Sequence, residues 1–486
     1  MTTILSISQH GRGVSPLEEA FIDKDDIRTT FALALSAMYK AEVPLYGDLV
    51  QIVQTVNNQQ QSSESPERLS LERHGAIRLG TPTELQTMRR VFALIGMSPV
   101  GYYDLSIAGL PMHATCFRPI ENAALARNPF RVFTTVLRPE LLKSTSARDT
   151  ALFLLSQRKI FSDELLDLLD VAERQGGRLT QHQAERFITE AMQTFGWRST
   201  AAATSAEYEL LKSEHPVLAD VACFRSAHIN HLTPRTLDIT TVQEAMSAAG
   251  MAVKSRIEGP PERECPILLR QTSFLALEEN IRFRVDDRLL EEEWTEGSHK
   301  ARFGEVEQRG AAVTVKGRRL YDQLLEKAMA DAAISPANLE DILNLSFEEY
   351  PDSWAELRRQ GLVYFEYRCT GKPMARSEAD FAVMPAASSI ESLIADGVLE
   401  AIPITYEDFL PLSAAGIFQS NLQSNGGPSK GALNENQPQA DKGGFEAALG
   451  CHVMSADELY ASAQAESLRI CAANLNLGQF KINGFT

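Results

Sequence analysis

The sequence lacks any arrangement of cysteines that would staple a small fold or bind zinc. The six cysteines are scattered along 486 residues with no Cys-x-x-Cys pair: Cys116, Cys223, Cys265, Cys369, Cys451 and Cys471. This spacing argues against a disulfide framework and against a zinc ribbon. It predicts free thiols in a reducing compartment, and we expect a cytoplasmic protein.

The sequence also lacks the apolar segments that direct a chain to a membrane. No apolar run approaches the ~20 residues needed to span a bilayer. The N-terminus, Met1 to Val14, has no basic segment followed by a sustained apolar core, so no signal peptide is expected. These features predict that the chain has no membrane partner.

Positive charge is scarce relative to negative charge. The formal net charge is -17, which argues against a general nucleic-acid or anionic-membrane binder. A small anionic substrate is still compatible with this charge, because a few arginines inside a pocket outweigh a distant acidic surface. Hydrophobic residues make up 44% of the chain and charged residues 23%, as in ordinary globular proteins, and the length predicts two or three packed units.

A β-α-β-β-β order is predicted in the first third of the chain. Residues 73–80 have the pattern of a strand, and Thr81, Pro82 and Glu84 have the spacing of a helix start with a capping box. Three further strands are predicted over residues 99–105, 112–117 and 130–137.

The same order of elements recurs later. The predicted strand, helix and three strands cover residues 228–233, 242–249, 252–257, 267–274 and 300–308, with an acidic insertion near 286–296. Two such units side by side can curl their sheets into one cup. The predicted fold is therefore α+β, with two βαβββ units forming a cupped sheet around a metal, and with added helical layers.

The predicted organisation has five parts. They are a tail over residues 1–24, helices and the first unit over 25–137, a helical insertion over 138–220, the second unit over 221–315, and a helical region over 316–486. In the insertion, helices are predicted at 147–157, 161–175, 180–194 and 205–214. Residues 423–444 are rich in Gly, Asn, Gln and Pro, a composition that predicts a mobile surface loop.

Candidate metal ligands lie on predicted strands of both units. They are His74, His231 and either Glu305 or Glu307. Two imidazoles and one carboxylate leave half of an octahedron open, as in non-haem Fe(II) oxygenases. Side chains alternate along a strand, so His228 and His231 cannot both ligate one ion, and the pattern leaves open which of them is structural.

Arg78 follows His74 by four residues, so both side chains point to one face of the strand, with backbones roughly 13 Å apart. A small acid could chelate the metal at one end and meet the guanidinium at the other. Pairing of Arg78 with a surface carboxylate is the equally good alternative. His299 follows Gly and Ser, which predicts a solvated loop, and at least one of Tyr102 and Tyr103 is expected in the core.

Several long motifs, in this order, resemble one known family. They are HGAIRLGT (74–81), PVGYYDL (99–105), HINHLTPRTLDI (228–239), PILLRQTSF (266–274), ARFGEVEQRGAAVTVKGRRLYD (301–322) and YEDFLPLSAAGIFQSNL (406–422). The sequence resembles the 2-oxoadipate dioxygenase/decarboxylase family, also called D-2-hydroxyglutarate synthase, from about residue 25 to 475. That family is related to the vicinal oxygen chelate superfamily, whose repeated βαβββ unit agrees with the predicted order.

The resemblance implies a set of site residues. Iron ligands would be His74, His231 and Glu305, which are also the catalytic centre, and His74 and Arg78 would contact the substrate. The backbone after YEDFLP, at Leu412 and Ser413, would contact it too, and Leu412 stands where the family commonly has Val.

The resemblance also implies an activity. Fe(II) would be the cofactor, a small 2-oxo dicarboxylic acid and O2 the substrates, and D-2-hydroxyglutarate with CO2 the products, in lysine breakdown. The alternatives are a vicinal-oxygen-chelate isomerase or lyase using another divalent metal, and a 2-oxo acid binding protein without catalysis.

Overall fold

The structure, a computed structural model, describes residues 20–60, 66–285, 294–334, 339–374, 386–410 and 440–477. The helices are α1 Lys24–Glu42, α2 Pro44–Asn57, α3 Pro66–Leu71, α4 Pro82–Leu94, α5 Asn122–Arg127, α6 Thr145–Gln157, α7 Asp163–Arg174, α8 Gln181–Phe195, α9 Ser205–Glu214, α10 Pro216–Ala222, α11 Ile239–Ala248, α12 Val315–Ile334, α13 Leu339–Phe347, α14 Trp354–Arg359, α15 Ala386–Ala395, α16 Lys442–Leu449 and α17 Ala456–Asn474. The strands are β1 Arg73–Leu79, β2 Ser98–Asp104, β3 Met112–Arg118, β4 Arg131–Leu137, β5 Thr200–Thr204, β6 His231–Pro234, β7 Leu269–Ser273, β8 Glu278–Arg284, β9 Trp294–Lys300, β10 Glu305–Arg309, β11 Phe365–Cys369 and β12 Leu399–Pro403.

The first unit has the predicted β-α-β-β-β order, from β1 through α4 to β4. Its helix begins where expected, with Thr81 as the N-cap accepting the backbone N–H of Glu84, and with Pro82 in the first turn. The predicted capping box is only half formed, because the Glu84 carboxylate accepts the backbone N–H of Gly80 and pairs with Arg158.

The two units share one curved sheet. The strand order β2-β3-β4-β1-β6 joins the first strand of the second unit to the first unit, with β1 antiparallel to β6. The strand β10 continues beyond β6 through the backbone bonds Thr236 N to Glu307 O, 2.8 Å, and Phe303 N to Asn230 O, 3.1 Å. Strand β10 also pairs with β7, so strands of both units line one cup. The cupped α+β architecture predicted from the sequence is therefore confirmed.

The second unit departs from the predicted pattern at three points. Residues 252–257 form only an isolated bridge, Val253 with Phe274, where a strand was predicted. The prediction of one strand over 300–308 was wrong, since β9 ends at Lys300 and β10 starts at Glu305. Between β7 and β10 the chain makes a hairpin, β8 and β9, which joins β5 in a separate sheet.

The helical insertion and the C-terminal region contain the predicted helices and additional structure. The helices α6, α7, α8 and α9 lie where the sequence predicted them, and β5 was not predicted. Residues 411–439 lie outside the described part of the chain, so most of the predicted mobile segment 423–444 is not tested. Its last three residues belong to α16, where the loop prediction was wrong.

The β1 strand separates two apolar cores. Ile77 and Leu79 face the helices α1, α4, α7 and α8. On the other face, Ala76 packs with Phe133, Cys116 and Phe409, and this core also includes α9 and α10. A third core, around β11, β12, α12 and α17, closes the C-terminal region. Among the residues described, no helix has the length and apolarity required to cross a membrane.

Candidate metal centre

Strand register places the three predicted metal ligands on one face of the cup. His74 and Ala76 share a face of β1, and Ala76 pairs with His231 across the antiparallel β1–β6 ladder. Paired residues in such a ladder project to the same side of the sheet. Glu305 stands at the start of β10, next to β6. The cup therefore brings together side chains from positions 74, 231 and 305.

The three side chains converge closely and are buried. One ligand atom from each of His74, His231 and Glu305 lies within 4.8 Å of the others. Glu305 Oε2 is 3.0 Å from His74 Nε2, 3.7 Å from His231 Nε2 and 3.1 Å from the hydroxyl of Thr233, which donates to it. Burial lowers the pKa of His231 well below its ordinary value, and the nearby charge of Arg78 acts in the same direction. His231 is therefore held neutral, the form that ligates a metal.

His74 is held between two carboxylates. Its Nδ1 is 3.1 Å from Glu307 Oε2, while its Nε2 is 3.0 Å from Glu305 Oε2. A metal ion between Nε2 and Glu305 would leave the single proton of the imidazole on Nδ1, facing Glu307, as in carboxylate–histidine–metal arrangements. This donor set fits a divalent metal ion.

Glu307 is oriented by two buried arginines. Arg131 Nη2 donates to Oε2 at 2.6 Å and Arg309 Nε donates to Oε1 at 2.9 Å. Burial alone would raise the pKa of Glu307, but Arg131, His74 and Arg309 hold it well below the usual value. Glu307 is thus a fixed anion behind His74, and sequence reasoning left open whether it was a ligand or such a supporting group.

Aromatic rings lie against both histidines of the centre. Phe409 meets the His74 ring edge to face at 4.8 Å, and Phe303 lies 4.8 Å from the His231 ring. The backbone N–H of Phe409 donates to the hydroxyl of Tyr103, and its carbonyl accepts from Tyr406. This contact agrees with the expectation that Tyr102 or Tyr103 is a core residue, since Tyr103 is buried.

Arg78 lies on the same face of β1 as His74, as predicted, and it is buried. The structure pairs it with Asp220 of α10, which is also buried, so the alternative of pairing with a surface carboxylate is wrong. Leu412 and Ser413 lie outside the described residues.

The two histidines of the HINH segment have different surroundings. His231 opens β6 and faces Glu305, whereas His228 precedes the strand and contacts Asp220, 3.0 Å from Nε2 to Oδ1. The observed strand β6 therefore begins at His231, three residues after the start that was predicted at 228. Gly75 permits the close approach of this segment, because a Cβ there would lie 2.5 Å from the Ile229 side chain.

His299 was expected in a solvated loop, and that prediction was wrong. It lies near the end of β9, is buried, and contacts Asp220 Oδ1 at 2.9 Å through Nε2. Sequence reasoning also missed Asp220, Arg131 and Phe409. For Asp220 a signal existed, because it is the one charged residue in the apolar helix PVLADVA.

The cupped sheet carries a buried group of two histidines and one carboxylate that could hold a metal ion, as expected of a metal-dependent enzyme. Residues 31–421 match the family described as 2-oxoadipate dioxygenase/decarboxylase. A 2-oxoadipate dioxygenase/decarboxylase of Pseudomonas putida is 46% identical over 475 residues, covering 94% of this chain and 98% of that protein. One from Escherichia coli is 47% identical over 463 residues, covering 93% and 98%.

A solved structure agrees with this match. The hydroxyglutarate synthase from Pseudomonas putida in complex with 2-oxoadipate superimposes with a TM-score of 0.80 at 43% identity, covering 94% of this chain and 99% of that one. The chain belongs to the 2-oxoadipate dioxygenase/decarboxylase family, and it is an enzyme. The predicted resemblance is therefore confirmed.

Proposed function

We propose that the protein is an Fe(II)-dependent enzyme that converts 2-oxoadipate and O2 to D-2-hydroxyglutarate and CO2. The relatives carry the name of this activity, and their match spans nearly the whole chain. The observation within the molecule that carries the proposal is the convergence of three buried side chains, His74, His231 and Glu305, whose ligand atoms lie within 4.8 Å of one another. A role in lysine breakdown stays a prediction.

We assign His74, His231 and Glu305 as the residues that hold Fe(II). Two imidazoles and a carboxylate on one side of the ion leave the opposite positions for other ligands. Fe(II) bound there would supply the sites at which a 2-oxo acid chelates and oxygen reacts. Glu307 holds the proton on His74 Nδ1, which leaves the Nε2 lone pair directed to the ion.

The reaction balances without a separate reductant. The six-carbon 2-oxo diacid and O2 contain the same atoms as the five-carbon hydroxy diacid and CO2. One carboxyl group leaves as CO2, the oxo carbon becomes a carboxylate, and the adjacent carbon gains a hydroxyl group. The electrons that reduce oxygen therefore come from the substrate itself.

The buried surroundings suit this chemistry. Phe409 and Phe303 cover the histidine rings and keep bulk water from them. We assign Arg78, on the same strand face as His74, to the far carboxylate of the substrate, where a guanidinium gives a charge-assisted contact. We also assign the backbone at Leu412 and Ser413 to the substrate, following the sequence motif.

The test is reconstitution under anaerobic conditions with Fe(II), or with Zn(II), Ni(II) or Mn(II) as matched samples. Each sample then receives 2-oxoadipate and O2. We expect oxygen uptake, CO2 and one enantiomer of 2-hydroxyglutarate with Fe(II) only, with products resolved by chiral chromatography. The Glu305→Ala variant is the control.

Conversion of a 2-oxo acid without oxygen uptake, by the Zn(II) or Ni(II) form, would instead identify an isomerase or lyase. Tight binding of 2-oxoadipate with no product under any condition would identify a binding protein.

A further inference from the structure

The carboxylate of Asp220 pairs with Arg78. Asp220 is the one charged residue of α10, whose other side chains from Val217 to Ala222 are apolar and buried. Its Oδ2 accepts from Arg78 Nη1, and both side chains are nearly inaccessible to solvent. An arginine has five N–H donors in a rigid fork, so it can pair with one carboxylate and still orient toward a second anion.

The other oxygen of Asp220 is held by two histidines. Oδ1 lies 3.0 Å from His228 Nε2 and 2.9 Å from His299 Nε2. The amide of Asn230 donates to Oδ2 at 3.4 Å. Burial alone would raise the pKa of Asp220, but Arg78 and His228 hold it well below its ordinary value. The carboxylate is therefore a fixed anion.

The two imidazoles are themselves locked in orientation. Both Nε2 atoms face the same carboxylate oxygen, so both carry a proton there. The Nδ1 atom of His299 is hydrogen-bonded to the hydroxyl of Tyr208 at 2.9 Å. The ring of Trp197 stacks on His299 and meets His228 edge to face at 4.7 Å.

These contacts fit an orienting network better than a second metal site, although Asp220, His228 and His299 lie close enough to ligate an ion. Two imidazole N–H groups already point at Oδ1, and the Arg78 cation touches Oδ2. A metal ion would have to displace both protons next to a guanidinium, which repels it.

We propose that Asp220 is a positioning residue for Arg78 and thereby sets the preference of the site for dicarboxylic over monocarboxylic 2-oxo acids. The inference rests on the proposed function, in which Arg78 meets the far carboxylate. Strand β1 fixes only the backbone of Arg78. The long side chain needs a second anchor, and α10, from the helical insertion, supplies it.

The test compares two ligands of equal chain length on the anaerobic Fe(II) enzyme. 2-Oxoadipate has a carboxylate at the far end, and 2-oxohexanoate has a methyl group there. Calorimetry gives both dissociation constants for wild type, Asp220→Asn, Arg78→Ala and the double variant. The control, Glu391→Gln, removes a partly buried arginine–carboxylate pair with Arg358 in the C-terminal region.

We expect Asp220→Asn to weaken 2-oxoadipate binding at least about tenfold and 2-oxohexanoate binding less than about threefold, since only the far contact is misplaced. In the Arg78→Ala background the Asp220→Asn change should have no further effect. Glu391→Gln should leave both constants unchanged. Tyr208→Phe, a milder change that keeps every buried charge, should shift the same ratio in the same direction.

Equal weakening of both ligands by Asp220→Asn and by Tyr208→Phe would overturn the inference and assign Asp220 a purely structural role. Additive effects of Arg78→Ala and Asp220→Asn would overturn it too. Both results leave the proposed function standing, which fails instead if wild type forms no hydroxy acid from 2-oxoadipate.

Discussion

Glu307→Gln should weaken metal binding although it leaves all three proposed metal ligands in place. Glu307 Oε2 lies 3.1 Å from His74 Nδ1, so we expect it to accept the Nδ1 proton when a metal ion is bound at Nε2. Loss of such a supporting carboxylate typically lowers metal affinity 10–100-fold, or about 1.4–2.7 kcal/mol. We therefore expect an Fe(II) dissociation constant raised by about that factor, with the same stoichiometry of one ion per chain.

The substitution also disturbs two buried arginines, and the assay has to separate this effect. Arg309 keeps Glu72 as a carboxylate partner, whereas Arg131 loses its contact with the Glu307 carboxylate and retains Phe409 under its guanidinium at 4.6 Å. Breaking a buried pair costs about 3–5 kcal/mol of folding stability. Glu391→Gln, which frees Arg358, serves as the control for a lost ion pair alone.

The measurement is an anaerobic Fe(II) titration beside thermal unfolding of the metal-free protein. Glu391→Gln should lose some stability and keep wild-type affinity for Fe(II). Glu307→Gln should lose both. Wild-type Fe(II) affinity in a folded Glu307→Gln variant would refute the role of Glu307 in orienting His74.

Three further outcomes are expected. His231→Ala should lose bound iron in metal analysis, whereas His228→Ala should keep most of it, because His228 faces Asp220 rather than Glu305. Iron retained by His231→Ala would contradict the assignment of His231 as a ligand. 2-Oxoglutarate, one methylene shorter than 2-oxoadipate, should turn over at least roughly a hundredfold more slowly in oxygen-uptake assays, because its far carboxylate falls short of Arg78; similar rates would remove the basis for that contact. Burial lowers the pKa of His113 from 6.5 to about 4, so the unfolded chain takes up a proton first as the pH falls, and stability present above pH 6.5 is lost toward pH 4. His113→Gln should remove about 2–3 kcal/mol of this loss between pH 6.5 and pH 4, as measured by urea unfolding at each pH, and an unchanged loss would show that His113 is not its source.

The first unit could be predicted because its signals are local. Strand β1 is apolar at intervals, and Thr81 with Pro82 marks the start of α4 by short-range chemistry. The hairpin β8–β9 was missed because Glu278–Arg284 begins with three polar residues and alternates apolar and charged residues only over its last four positions. Pairing with a partner strand, which composition does not reveal, decides that segment.

The metal ligands could be narrowed but not assigned from pattern alone. Alternation along a strand puts His228 and His231 on opposite faces, so only one of them can be a ligand. Glu305 and Glu307 share one face, and only the resemblance to the family motif indicated which of the two is the ligand. In the structure the difference lies in their partners, since Arg131 and Arg309 contact Glu307. Arg131 is far from Glu307 in sequence, and Arg309 lies two residues along the same strand. Neither segment has a sequence pattern that predicts the contact.

The same comparison explains why Glu305 is the carboxylate suited to a metal ion. Among the described residues, three other buried carboxylates each contact at least one arginine: Glu72, Asp220 and Glu307. Glu305 instead faces two histidines, His74 and His231. Its Oε1 is buried with no hydrogen-bond partner in that part of the chain. A buried carboxylate in this situation is costly without a cation. Binding of Fe(II) should therefore stabilise the fold, by about 2.7 kcal/mol at a hundredfold excess over the dissociation constant. Glu305→Gln, which removes the charge and keeps the shape, should be at least as stable as the metal-free wild type and should gain nothing from added Fe(II) in thermal unfolding. Equal stabilisation of both proteins by Fe(II) would show that the ion binds elsewhere.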